Sequence, residues 1–163
     1  MNDRESEVAA KRFADLYAAG AFPFPAGLTV AMGDVLPIVD EQGGLAAWLA
    51  PFVVGDRLLA MALLTPDRIL QRFSLLAGGR LDAAPAAANW LDPTRVRERV
   101  VAVAGRGAKL DTPVFSFDGD LSRLAWRVGV ELADGSRRHW FVAGSSIWPA
   151  AEAPETSYRG TGQ

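Results

Sequence analysis

The chain has 163 residues, a single histidine, no cysteine and a formal net charge of −2. Half of its residues are hydrophobic and 22% are charged, the balance of one packed domain, or of two small ones sharing a core. The mild acidity offers no field to hold nucleic acid or an anionic membrane, and the lack of thiols excludes disulfides and cysteine-ligated zinc.

The opening run MNDRESEVAAKRF is too charged for a signal peptide, and no apolar run approaches the length of a spanning helix. With Met1 as the native start, a cytoplasmic location is expected. Residues 5–19 read as a helix, because Ala9, Phe13, Leu16, Tyr17 and Gly20 fall on one stripe while Lys11, Arg12 and Asp15 lie largely off it. Gly20 is placed to stop it, and Pro23 and Pro25 prevent continuation. Phe22 and Phe24 then read as rings pinned to the core.

From Leu28 to Leu76 the period changes. The stretch LTVAMGDVLPIVD is extended and broken near Gly33, and Pro37 argues for an edge position. A turn at Gly43-Gly44, a strand LAAWLAPFVV, a hairpin tip at Gly55-Asp56 and a strand RLLAMALL follow. Thr65-Pro66-Asp67 forms a turn, and RILQRFSLL reads as a further strand. A helix over residues 67–76 competes, since Ile69, Leu70, Phe73 and Leu76 also fit helical spacing.

The small-residue stretch 77–89 reads as a linker. Asp92 is placed to cap a helix with Pro93 at its first position, and Val96, Val100 and Val103 form its apolar stripe up to Gly105. Arg95, Arg99 and Arg106 share another face, read as solvated. From Pro113 to Trp148 three antiparallel strands are expected, joined in part by a hairpin at Asp134-Gly135. The tail AEAPETSYRGTGQ has little to bury. The expected division is therefore a first repeat at 1–78, a linker at 79–93, a second repeat at 94–150 and a tail at 151–163.

An internal echo supports that division. At an offset of 78 residues, Asp40, Ala47, Trp48 and Asp56 coincide with Asp118, Ala125, Trp126 and Asp134. The order helix, strand, turn, tryptophan-bearing strand, hairpin, strand occurs twice, as expected of a unit too small to bury its sheet alone. The stretches LPIVDEQGGLAAWLAPFVVGDRLLAMALLTPDRIL and TPVFSFDGDLSRLAWRVGVELADGSRRHWFVAG resemble the sheet portion of PepSY-type modules and related peptidase propeptide domains. The resemblance implies inhibition or partner binding, and no catalytic residues. The fold expected is α+β, with two tandem helix-plus-antiparallel-sheet units packed as one body. The alternative is a single cystatin-like sheet with both helices on one face.

Candidate chemistry is sparse. His139, between Arg138 and Trp140, has no serine-plus-acid arrangement around it in the sequence. Asp118-Gly119-Asp120 begins like a calcium loop, but Leu124 and Trp126 stand where oxygen ligands belong, so it reads as a tight turn. Gly105-Arg106-Gly107 is followed by neither a helix nor Lys-Ser/Thr and is no phosphate loop. No catalytic, metal or cofactor-binding residue is assigned. Trp48 and Trp126 read as core anchors, whereas Trp90 and Trp148 would cover the junction of the halves or meet a partner. Arg123, Arg127, Arg137 and Arg138 on neighbouring strands would form a basic sheet face, with pairing to Glu131 as the plain alternative. With Trp148, these arginines are the candidate partner-binding residues. The expected function is a non-enzymatic module engaging a protein or peptide, with no nucleic acid or membrane partner and with a homodimer possible. A small-ligand protein or enzyme with a pocket between helix and curved sheet is the alternative.

Overall fold

The N-terminal stripe folds as α1 (Asp3–Ala18) and buries Ala9 and Phe13 completely. Gly20, at φ +72°, takes the left-handed conformation that ends the helix. In this computed structural model, which describes residues 3–151, the connector then returns across the first sheet. Phe22 and Phe24 both sit 5.0 Å from Phe52, ring centre to ring centre, and Phe73 joins them. Tyr17 donates from its hydroxyl to the Val30 carbonyl at 2.8 Å, tying helix to connector.

The first sheet holds β1 (Ala31–Met32), β2 (Leu36–Val39), β3 (Leu45–Val54), β4 (Arg57–Leu64) and β5 (Leu70–Leu75). The strands β1, β3, β4 and β5 follow one another across it, and β2 also pairs with β3. On β3 and β4 the side chains of Trp48, Ala50, Phe52, Ala60, Ala62 and Leu64 pack under α1. Strand pairing decides the ambiguous segment before residue 76. Phe73 and Leu75 alternate onto the α1 side, and Arg72 and Ser74 take the opposite one. The turn before it is closed by Thr65 and Arg68, the latter at φ +65°.

The connecting segment is strapped down. Leu58 donates to Pro85 at 2.9 Å, Ala87 to Asp56 at 2.8 Å, and the Arg57 guanidinium to Ala84 at 2.9 Å. A short helix α2 (Ala87–Leu91) carries Trp90, and α3 (Pro93–Ala104) follows. The Asp92 carboxylate accepts from the Thr94 amide at 2.9 Å, and Pro93 occupies the first turn. Val96 and Val100 are buried, but Val103 is 47% exposed. The buried stripe follows the i, i+4 spacing Val96, Val100, Ala104, so Ala104 packs against the core in its place.

The second sheet comprises β6 (Lys109–Leu110), β7 (Val114–Phe117), β8 (Leu124–Glu131), β9 (Arg137–Ala143) and β10 (Ser146–Pro149). Over Pro113–Trp148 four strands stand where three were expected, because Gly144-Ser145 makes a turn tight enough to add β10 to β9, and β6 forms in the segment read as a loop ahead of them. Trp148 therefore lies on a strand.

The fold is α+β, with two antiparallel sheets, each preceded by a helix, in tandem halves packed together. The register proves the repeat. Ala31 faces Val53 and Lys109 faces Glu131; Pro37 faces Trp48 and Phe115 faces Trp126; Trp48 faces Leu64 and Trp126 faces Val142. Each second pair is the first shifted by 78 residues. The two sheets stay separate, with β2 and β7 side by side at the seam. One core cluster takes Ile38, Leu49 and Leu63 from the first half and Val100, Trp126 and Val128 from the second. The Ser116 hydroxyl, fully buried, donates across the seam to the Val39 carbonyl at 2.6 Å. The tail expected at 151–163 lies, beyond Ala151, outside the described residues.

Candidate functional site

Strand alternation sorts the side chains of the second sheet into two sets. Leu124, Trp126, Val128 and Val130 share a side with Val142 and pack with Val96 and Val100 of α3. Arg127, Gly129 and Glu131 stand on the other side with Phe141, His139 and Arg137. The four arginines expected to make one face are consequently divided. Arg123 precedes β8, in the turn. Arg127 donates to the Asp40 carbonyl at 3.2 Å and helps hold the seam. Arg137 binds Asp111 at 2.5 Å and Glu131 at 3.9 Å. Room for the Asp111 pair exists because Gly129 has no Cβ, which would stand 2.3 Å from the Asp111 carboxylate. Arg138 faces Val130, on the side opposite Arg137.

Arg123 and Trp148, in contrast, are brought together. The Arg123 guanidinium lies 5.7 Å from the centre of the Trp148 ring and 3.1 Å from the Asp118 carboxylate. The Trp148 indole N–H donates to the same carboxylate at 2.9 Å, and its ring stacks on Phe141. The turn here depends on Asp120 and not on the Asp118 side chain. Asp120 accepts from the Ser122 amide at 2.7 Å and from the Ser122 hydroxyl. These bonds, ahead of the charges of Arg123 and Arg72, hold its carboxyl below the usual carboxylate range.

This cluster lines a cleft of about 460 Å³ at the seam. Met61, Arg72 and Ser74 come from the first sheet, Trp90 from α2, and Ser122, Arg123, Leu124, Ser146 and Trp148 from the second half. Its walls thus carry two guanidinium groups, three hydroxyls and two indoles. The sequence put Trp90 at the junction of the halves or on a partner surface without counting it among the candidate partner-binding residues, and it did not single out Arg72. Arg72 was read only as part of a strand, and nothing local marks a residue that a distant half will meet. Trp90 is set by two contacts. Its carbonyl accepts from the Trp126 indole at 2.6 Å, and Gly144 lies so close that a Cβ there would stand 2.6 Å from the Trp90 ring nitrogen. Arg99 of α3, read from sequence as solvated, donates to the carbonyls of Gly144 and Ser145 and fixes the β9–β10 turn beside the cleft. Arg95 likewise donates to the Asn89 side chain at 2.8 Å.

A second hollow of about 650 Å³ gathers Arg137, Arg138 and His139 with Asp134, Ser136 and Pro149, and borders the last described residue, Ala151. Partial desolvation, then the charges of Arg127 and Arg137, push His139 below its ordinary pKa. Among the described residues no group of three or more His, Asp or Glu is placed to hold a metal ion, and no helix is long and apolar enough to cross a membrane. No family model, curated protein or solved structure matches the chain.

Proposed function

We propose that the protein is a non-enzymatic binding module that takes an extended peptide segment of a partner protein into the seam cleft. The observation that carries this reading is the cleft's position. β5 ends the first sheet and β10 ends the second, and both contribute side chains to the same space. A sheet edge presents backbone donors and acceptors that an added strand can pair, while neighbouring pockets read its side chains. The indoles of Trp90 and Trp148 and the arginines supply the residue types enriched at binding hot spots. The walls hold no carboxylate or imidazole within an acid–base pair. Partner binding is also what the PepSY-like pattern of the two halves implies. A small anionic ligand is the second reading, favoured by a volume of about 460 Å³ that falls within the usual range of ligand pockets.

The test is a random hexapeptide array probed with the full chain, followed by titration of the best binder into ¹⁵N-labelled protein. The Trp90 and Trp148 indole resonances should shift while that of Trp48, buried in the first half, stays fixed. Failure of every hexamer to bind, or binding that leaves both cleft indoles unmoved, refutes the proposal. A metabolite that shifts those indoles where peptides do not would establish the second reading.

A further inference from the structure

We infer that the cleft selects a carboxylate, the side chain of an aspartate or glutamate in the bound segment, and that Arg72 reads it. The inference rests on the peptide-binding reading above and assigns the chemistry of its ligand.

The two guanidinium groups of the cleft differ in what already occupies them. Arg123 is engaged by Asp118 at 3.1 Å and lies over Trp148. Arg72 lines the same cleft, half-buried, and its guanidinium makes neither a hydrogen bond nor an ion pair with any described residue. A charge partly withdrawn from water with no carboxylate in contact, acted on by Asp120 only through space, is held at a cost that an incoming anion relieves. Its direction is fixed by the ladder. Arg72 faces Leu63 on β4, and Ser74, two residues along on the same side, brings a hydroxyl to the same cleft. A planar fork with a hydroxyl in the same cleft suits a planar two-oxygen acceptor.

The local charge then separates a carboxylate from a phosphate. Arg72 and Arg123 are offset by Asp118, bound to Arg123, and by Asp120, whose carboxyl feels both arginines. The surroundings are near neutral before a ligand arrives. A carboxylate adds one negative charge to them, whereas a phosphate near neutral pH brings almost two against the same pair of aspartates. Beside the cations stand Trp90, Trp148, Met61 and Leu124, so the acidic residue should be flanked in the peptide by an aromatic or aliphatic one.

The experiment uses hexapeptides that carry glutamate, glutamine or phosphoserine at one central position, tested on the full chain and on R72Q and R72K. Glutamate peptides should bind about tenfold or more tightly than their glutamine counterparts, the usual worth of a charge-assisted hydrogen bond. They should also bind more tightly than the phosphoserine ones. R72Q should level glutamate and glutamine with an unchanged melting temperature, and R72K should keep part of the difference. Equal binding of glutamate and glutamine peptides, with the cleft indoles still shifting, overturns the inference and leaves the peptide-binding reading standing. Preference for phosphoserine overturns the carboxylate assignment, and a preference unaltered in both variants overturns the role of Arg72. If no hexamer shifts the indoles, reading and inference fall together. Should R72Q fail to fold, R72K carries the comparison, because it keeps stem and charge while losing the fork.

Discussion

Ser116→Ala puts a direct question to the seam. Ser116 is the one buried polar side chain among the described residues, and its hydroxyl donates at 2.6 Å to the Val39 carbonyl in the other half. Truncation removes the donor and leaves the carbonyl of half-buried Val39 without that partner, next to the core shared by both halves. A buried acceptor stripped of its partner costs about 1–3 kcal/mol. For a chain of this size each kcal/mol lowers the melting temperature by roughly 2–4 °C. Urea unfolding should be followed by tryptophan fluorescence, which senses Trp48 in the first half and Trp126 in the second, and by far-ultraviolet circular dichroism. The midpoint should fall with an unchanged slope, and both probes should report one transition. A loss below about 0.5 kcal/mol would mean that water replaces the bond without penalty. Two separable transitions would refute the shared core, because the halves would then unfold independently of it.

Two further outcomes are expected. Gly144→Ala should destabilise by about 2–5 kcal/mol, combining a left-handed backbone at φ +56° with a Cβ placed 2.6 Å from the Trp90 indole. Gly20→Ala, at φ +72° with nothing within 4 Å, should cost only the backbone part, about 1–2 kcal/mol, and equal losses in thermal melts would refute the assignment. His139 has a folded pKa below its ordinary 6.5, so below that value the unfolded chain binds the proton more readily and stability falls as the solution is acidified. The depressed Asp120 and Asp134 act in more acid solution, near and below their ordinary 3.8. Stability measured from pH 7.5 down to 5.5 should therefore decline in the wild type and less in His139→Gln; parallel curves would exclude His139 as the cause.

Much of the scaffold was legible because its signals are local. Gly55-Asp56 and Asp134-Gly135 mark hairpin turns, and Asp92-Pro93 marks a helix start by chemistry that acts over two or three residues. The offset of 78 residues held because turn lengths set strand register, and three ladders in each half obey it. β10 was missed because Ser146–Pro149 is too short to show a period, and only the tight Gly144-Ser145 turn defines it. The site was legible in Arg123 and Trp148, and in Trp90 as a residue of the junction. Arg72 joins the first two through packing between halves, and residues 51 positions apart or more carry no mark of that meeting.

The two repeats differ in how they use one aspartate, and that difference builds the arginine–indole wall on one side of the cleft. In the first copy the Asp40 carboxylate is consumed locally, accepting from the Gln42 and Gly44 amides at 2.9 and 2.8 Å. In the second copy Asp120 takes over that task through Ser122, and the equivalent Asp118 is released to bind Arg123 and the Trp148 indole. Trp148 reaches it because the β9–β10 turn is short, whereas the corresponding link between β4 and β5 runs through Thr65–Ile69. One carboxylate freed from a turn and one loop shortened are therefore enough to convert a structural corner into an ordered arginine–indole wall. The first copy contributes the opposite wall through β5, whose Arg72 still lacks an ionic partner among the described residues. The two halves share one register, and they differ at the partners of Asp118 and at Arg72, on the two walls that face the cleft.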